Sequence, residues 1–280
     1  MFSQYARLVL LSVVMGVLPL ERAEAAETTS CDGEAEEIIR NAYPDATKSG
    51  DETFTVGGSA ISVNDSEVAV DAPQVMRCRV WSANPQLTLV AVPLMTSMNE
   101  DGNEGDLDLL VVETATSAVK HRLRLENRMN DDALRISAVE FDTARYRLAK
   151  DQTAFGLRIS TSGSSRPNPY SDVSLWLFTL ENGALRPVLD GMIVSKNTGE
   201  WDTNCAGEFQ SVQTTLSIGQ TASQGHLDII ATETGSTTTS ALGKDGDCND
   251  TVVTSKPQKL KLVYNGQQYP IPEDRRAITE

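Results

Sequence analysis

The chain has 280 residues, with 24 Lys and Arg against 39 Asp and Glu and a formal net charge of −15. So acidic a balance excludes nucleic acid and anionic lipid surfaces as natural partners and favours a basic protein or a divalent cation. Two histidines and four cysteines leave little material for a His- or Cys-based metal centre.

Residues 1–26 read as a secretory signal peptide. Arg7 supplies a positive start, Leu8 to Leu20 is an apolar run, and Ala23-Glu24-Ala25 fits the small-x-small rule for cleavage. The run is too short to cross a bilayer as a stable helix, and no later segment is long and apolar enough to span. Cleavage removes Arg7, Arg22, Glu21 and Glu24, so the charge is unchanged. The expected location is the periplasm or the cell exterior. Four cysteines remain in an exported chain and predict two disulfides. Of the three possible pairings, Cys31–Cys78 and Cys205–Cys248 close the shorter loops.

Residues 27–75 form an acidic N-terminal region. Gly33 to Tyr43 has helical spacing, with Ile38, Ile39 and Ala42 on one side, Asp32 as cap and Pro44 as terminator. Phe54–Val56, Gly57-Gly58 and Ala60–Val63 predict a hairpin.

Residues 76–280 repeat one plan three times. Arg77–Met95, Arg145–Gly163 and Thr214–Gly235 each read as strand, polar turn, strand, with the alternation of half-buried strands. A second hairpin completes each unit. These are Asp106–Val112 with Lys120–Leu125, Val173–Leu180 with Leu185–Leu189, and Leu260–Tyr264 with Gln268–Ile271. Asn182-Gly183 and Asn265-Gly266 are strong turn signals. Ser236–Asp250 reads as an insertion in the third unit, held by Cys248. The fold class is all-β: three four-stranded antiparallel blade-like units (about 76–133, 134–200 and 201–280) with a short N-terminal helix. Three units are few for a closed propeller, and a β-sandwich of the same hairpins is the structural alternative. Apolar residues on both faces of VSLWLFTL predict a strand covered on both sides.

The chain lacks HExxH, GxSxG, a phosphate loop and a dinucleotide fingerprint. His121 and His226 lie at strand positions with no nucleophile pattern around them. Three loops offer candidate functional residues. Asn99, Asp101, Asn103, Asp106 and Asp108 supply oxygens of the kind calcium takes. Over this one loop the sequence resembles the calcium loops of integrin-type (FG-GAP) propeller blades, with Glu100 and Gly102 departing from that pattern. The resemblance implies a structural calcium; the rival reading is a solvated acidic turn, and no other cofactor is expected. Ser160–Asp172 presents Arg166 and Tyr170, typical recognition side chains. Gly199–Gly207 sets Trp201 between Glu200 and Asp202, suited to anchoring a protein or stacking a sugar. The function expected is a secreted or periplasmic, disulfide-stabilised binding protein for a basic protein, in an inhibitor or immunity-type role. The alternative is a carbohydrate-active hydrolase that gathers loop carboxylates around a glycan.

Overall fold

The computed structural model describes residue 31 and residues 33–63 and 72–277. The signal segment and Asp32 lie outside them. What the sequence divides into three units, the structure groups into two antiparallel sheets and a short helix.

Helix α1 (Ala35–Ala42) follows Glu34 at the N-cap position, whose side chain makes no capping bond. Glu36 and Glu37 in its first turn and Arg40 in its last suit the helix dipole. The helix stops at Tyr43, before Pro44, which cannot continue it. Next come β1 (Thr47–Lys48), β2 (Thr53–Val56), β3 (Ser59–Ser62), β4 (Arg77–Val80), β5 (Leu87–Met98), β6 (Asn103–Glu113) and β7 (Val119–Leu125). They form the first sheet in the order β1-β2-β3-β5-β6-β7, with β4 also on β5. The N-terminal hairpin turns at Gly57 and Gly58, both at positive φ, and extends this sheet through β3.

Strand alternation explains the unbroken apolar runs of β5 and β6. Leu89, Ala91, Leu107, Leu109 and Val111 enter a core shared with the second sheet. Val90, Val92, Leu94, Leu110 and Val112 face the other way, onto Ile38, Ile39 and Tyr43 of the α1 segment. The sheet is buried on both faces, so neither face needs polar residues. Cys31 is bonded to Cys78 at the edge of the helix-side core.

The second sheet is a meander of seven consecutive strands: β8 (Leu134–Ala149), β9 (Gln152–Gly163), β10 (Tyr170–Glu181), β11 (Ala184–Trp201), β12 (Gly207–Ser223), β13 (His226–Leu242) and β14 (Cys248–Thr254). An eighth, β15 (Gln258–Leu262), pairs with β13 beyond the end of β14. The β10–β11 turn places Asn182 and Gly183 at positive φ, as a two-residue hairpin turn requires. VSLWLFTL is covered on both faces: Trp176 and Phe178 face the first sheet, while Leu175 and Leu177 enter a separate core. That core also takes Tyr146, Leu148, Val188, Leu189, Ile229 and Leu262. The sheet coils until β8 approaches β12 and β13, which encloses these residues.

Two segments depart from the sequence reading. Ser236–Asp250 is not an insertion: it continues β13 and starts β14. Its Thr-rich composition misleads because threonine, although polar, suits an exposed strand. The third hairpin is incomplete. After the turn at Asn265, the Tyr269 amide donates to the Val188 carbonyl at 2.7 Å. Residues 268–271 therefore cross to β11 instead of pairing with β15, because Tyr269 and Ile271 bury in the second-sheet core.

Candidate functional site

A pocket of about 360 Å³ opens where the core between the two sheets ends. Its floor is one face of β8, β9 and β10. Ile136, Ile159 and Trp176 belong to that core, and Thr161, Tyr170, Asp172 and Ser174 extend the same surface outward. Residues two apart on a strand share a face, so Tyr170, Asp172, Ser174 and Trp176 line up. The wall is the crossing from β7 to β8, with Glu126, Asn127, Arg128, Asn130, Asp131 and Asp132.

Hydrogen bonds fix this wall. Asp131 accepts from the Asn103 amide at 3.0 Å, Asn103 Nδ2 at 3.1 Å, Arg135 Nη1 at 3.0 Å and the Ile136 amide at 3.0 Å. Asn130 Oδ1 accepts from the Gly105 amide at 2.9 Å. On the floor, Asp172 accepts from Thr161 Oγ1 at 2.9 Å and from the Tyr170 hydroxyl at 2.7 Å. Burial and the neighbouring carboxylate together push the Tyr170 hydroxyl well above its ordinary pKa. The Arg128 guanidinium lies 4.8 Å from the centroid of the Trp176 ring, a cation–π contact. Its Nε and Nη1 are closed off without an acceptor among the described residues, and burial lowers its pKa against the pull of Asp190. Asp190 accepts from Trp176 Nε1 at 3.1 Å. Gly191, at φ +75°, makes room for the indole: a Cβ there would lie 2.9 Å from it. Glu126 and Asp132 stand exposed on the rim. Four carboxylates thus line the pocket against one guanidinium.

Of the recognition residues read from sequence, Tyr170 lines this pocket, and Arg166 is exposed nearby on the β9–β10 connection. The structure brings the two aromatic loops together, for the Trp201 amide donates to the Pro167 carbonyl at 2.7 Å. Trp201 is half-buried. Glu200 faces Glu208 across β11 and β12. Asp202 is a turn cap: its Oδ1 accepts from the Asn204 and Cys205 amides, each at 2.8 Å. Backbone amides, Asn204 first, hold its carboxyl below the usual range. This turn delivers Cys205 to its bond with Cys248.

The five oxygens of the Asn99–Asp108 segment are dispersed by the strand they enter. Asn99 Oδ1 accepts from the amides of Asp101 and Gly102, and Asn103 bonds Asp131. Asp106 accepts from Arg124 at 2.9 Å and from the Asn127 amide at 2.9 Å. Asp108 is fully buried on the helix side, where Arg122, Arg124 and the Tyr43 hydroxyl surround it. Among the described residues no group of three or more His, Cys, Asp or Glu is arranged to hold a metal ion.

The histidines stand apart. His121 Nδ1 donates to the Gly183 carbonyl at 3.0 Å. His226 is buried against Tyr264, ring centroids 4.0 Å apart, and neither of its ring nitrogens has a hydrogen-bond partner among the described residues. Asp228, two residues on, is held by Thr221, Ser223 and Lys261 rather than by the imidazole.

Sequence reasoning did not find Glu126, Arg128, Asp131, Asp132, Asp172 or Trp176. One signal was present: an Asn- and Asp-rich turn, ENRMNDD, lies between two strands. Comparison with known proteins finds no family model, curated relative or solved structure that matches this chain.

Proposed function

We propose that this is an exported, disulfide-stabilised β-rich protein that binds a basic partner, in an inhibitor or immunity-type role. The observation that carries the reading is the acid-lined pocket at the end of the inter-sheet core. Asp131 and Asp172 already accept several donors from the protein itself, which suits a rigid electrostatic surface better than a shuttling proton. Glu126 and Asp132 stand exposed on the rim, where Asp132 accepts only the Leu134 amide at 3.3 Å among the described residues, and both can meet a lysine or arginine side chain. The Tyr170 ring offers the stem of such a side chain an apolar contact. The excess negative charge of the whole chain would speed approach of a basic partner.

The test is retention on the immobilised, oxidised protein of material from its own cell envelope and culture fluid. A basic protein should bind at low salt, elute at high salt, and fail to bind the Glu126→Gln/Asp132→Asn double variant. No basic protein retained, or equal retention by the variant, rejects the reading.

A further inference from the structure

Strand β14 is the outer edge of the second sheet, and all seven of its residues are exposed. Its inner edge is paired with β13 from Ser236–Thr254 to Leu242–Cys248. The Ser255 amide continues that ladder, donating to the Gly235 carbonyl at 2.8 Å. Along an antiparallel strand, the backbone groups of alternate residues point to opposite edges. Ser255 points inward, and so do Val253 and Thr251. Asp250, Val252 and Thr254 therefore direct their N–H and C=O groups outward, away from β13.

Proteins ordinarily blunt such an edge with lysine, proline or a bulge. Thr251–Thr254 has none of these and is β-branched throughout. Six large hydrophobic residues are exposed among the described residues, and three of them, Leu242, Val252 and Val253, lie at this edge, 61–66% exposed. The edge is stiffened from within, because the Cys205–Cys248 bond ties the start of β14 to the turn after β11.

We propose that β14 pairs antiparallel with β14 of a second copy, so that the second sheet runs unbroken through a two-fold-symmetric dimer. Outward-pointing residues must face outward-pointing residues, so the allowed registers differ by steps of two. One of them sets Val253 against its own copy on the dyad and Val252 opposite Thr254. The same register sets Asp250 opposite Lys256, twice by symmetry. The neighbouring register loses this charge match, placing Asp250 against Thr254. Lys256 makes no ion pair among the described residues, and the only described partner of the Asp250 side chain is Ser240, at 2.5 Å. Pro257, the next residue, has the parity of the inward-pointing positions and leaves the outer ladder intact. Identical edges that complement each other in register and charge are what an isologous interface needs.

Sedimentation equilibrium of the oxidised protein at physiological salt tests this. The mass should rise from one copy to two with concentration. Val252→Pro removes an outward N–H without touching the β13 ladder and should leave a monomer. Lys256→Glu should weaken the dimer at least about ten-fold, and Asp250→Lys added to Lys256→Glu should restore it. Circular dichroism and the thiol count verify that each variant is folded and oxidised. A wild type that stays monomeric at every concentration, including one that takes up an unrelated extended peptide instead, overturns the proposal. So does a dimer that survives Val252→Pro, or a charge swap that fails to rescue Lys256→Glu.

Discussion

Asp108 shows how a single carboxylate joins the helix to the first sheet. It is fully buried and receives Tyr43 from the helix end and Arg122 and Arg124 from β7. Burial, then the nearby carboxylate, drives the Tyr43 hydroxyl far above its ordinary pKa, so it stays a donor at any physiological pH. Asp108→Ala strands three donors. The expected loss is about 2–3 kcal/mol, below that of a fully enclosed pair because both guanidiniums are partly solvated. The shift of the urea unfolding midpoint measures it. Asp142 makes a pH-dependent counterpart on β8. Burial opposes its ionisation, but the Ala144 amide, the Tyr146 hydroxyl and Arg158 outweigh burial and hold its pKa below the ordinary 3.8. A carboxyl depressed in the folded state stabilises above its unfolded pKa and loses that contribution as pH falls through the folded value. Urea midpoints measured from neutral pH down should therefore fall below about pH 4, and fall less steeply in Asp142→Asn. Neither carboxylate was legible as a structural pivot. A sequence shows an acidic residue in a strand but not which partners the fold brings from 16 or 65 residues away.

At the scale of elements, periodicity and turn chemistry carried well. The α1 spacing, the Gly57-Gly58 hairpin and the Asn182-Gly183 turn are local signals, and each is satisfied by local geometry. The hairpin after Asn265 failed because Tyr269 gains more by burying its ring and donating to Leu227 at 2.6 Å than by pairing with β15. Turn chemistry reports that a chain reverses, not which strand receives it. The outer halves of β11 to β14 follow a different logic. Beyond Val194 and before Thr214 the strands add nothing to any of the three cores, nor does β13 past Ala231. This arm is held by its ladders and by the Cys205–Cys248 bond. Replacing both cysteines by serine should speed amide exchange across residues 200–210 and 236–254 while leaving Leu175–Leu189 protected. Equal loss of protection in both regions would mean that the arm and the core open together.

For the whole molecule, the sequence indicated strands, hairpins and double-sided burial but not how many sheets they make. Three similar hairpins are compatible with separate blades, with a sandwich and with one long meander, because strand period says nothing about the fifth neighbour. The deciding contacts are long-range: Trp81, just after β4, meets Phe155 of the second sheet edge to face, with centroids 5.5 Å apart. The candidate pocket exists because of that arrangement, since it forms where one sheet passes into the other. Its residues come from positions 126 to 277, too far apart for spacing to reveal.

The order of bonds along the chain has a kinetic consequence. Cys31 joins the next cysteine in the sequence, and Cys205 joins the next after it. In the second sheet each strand from β9 to β14 pairs with the one made just before it. A chain that emerges amino end first, from a ribosome or a translocation pore, can therefore zip up in the order of its delivery. Each new strand finds its template already waiting, and each new thiol meets its mate before a competitor has arrived. Assembly of this kind needs little reshuffling. A circular permutant opened at the Asn182-Gly183 turn would keep the same final contacts but lose that running order, and slower oxidative refolding is the expected result.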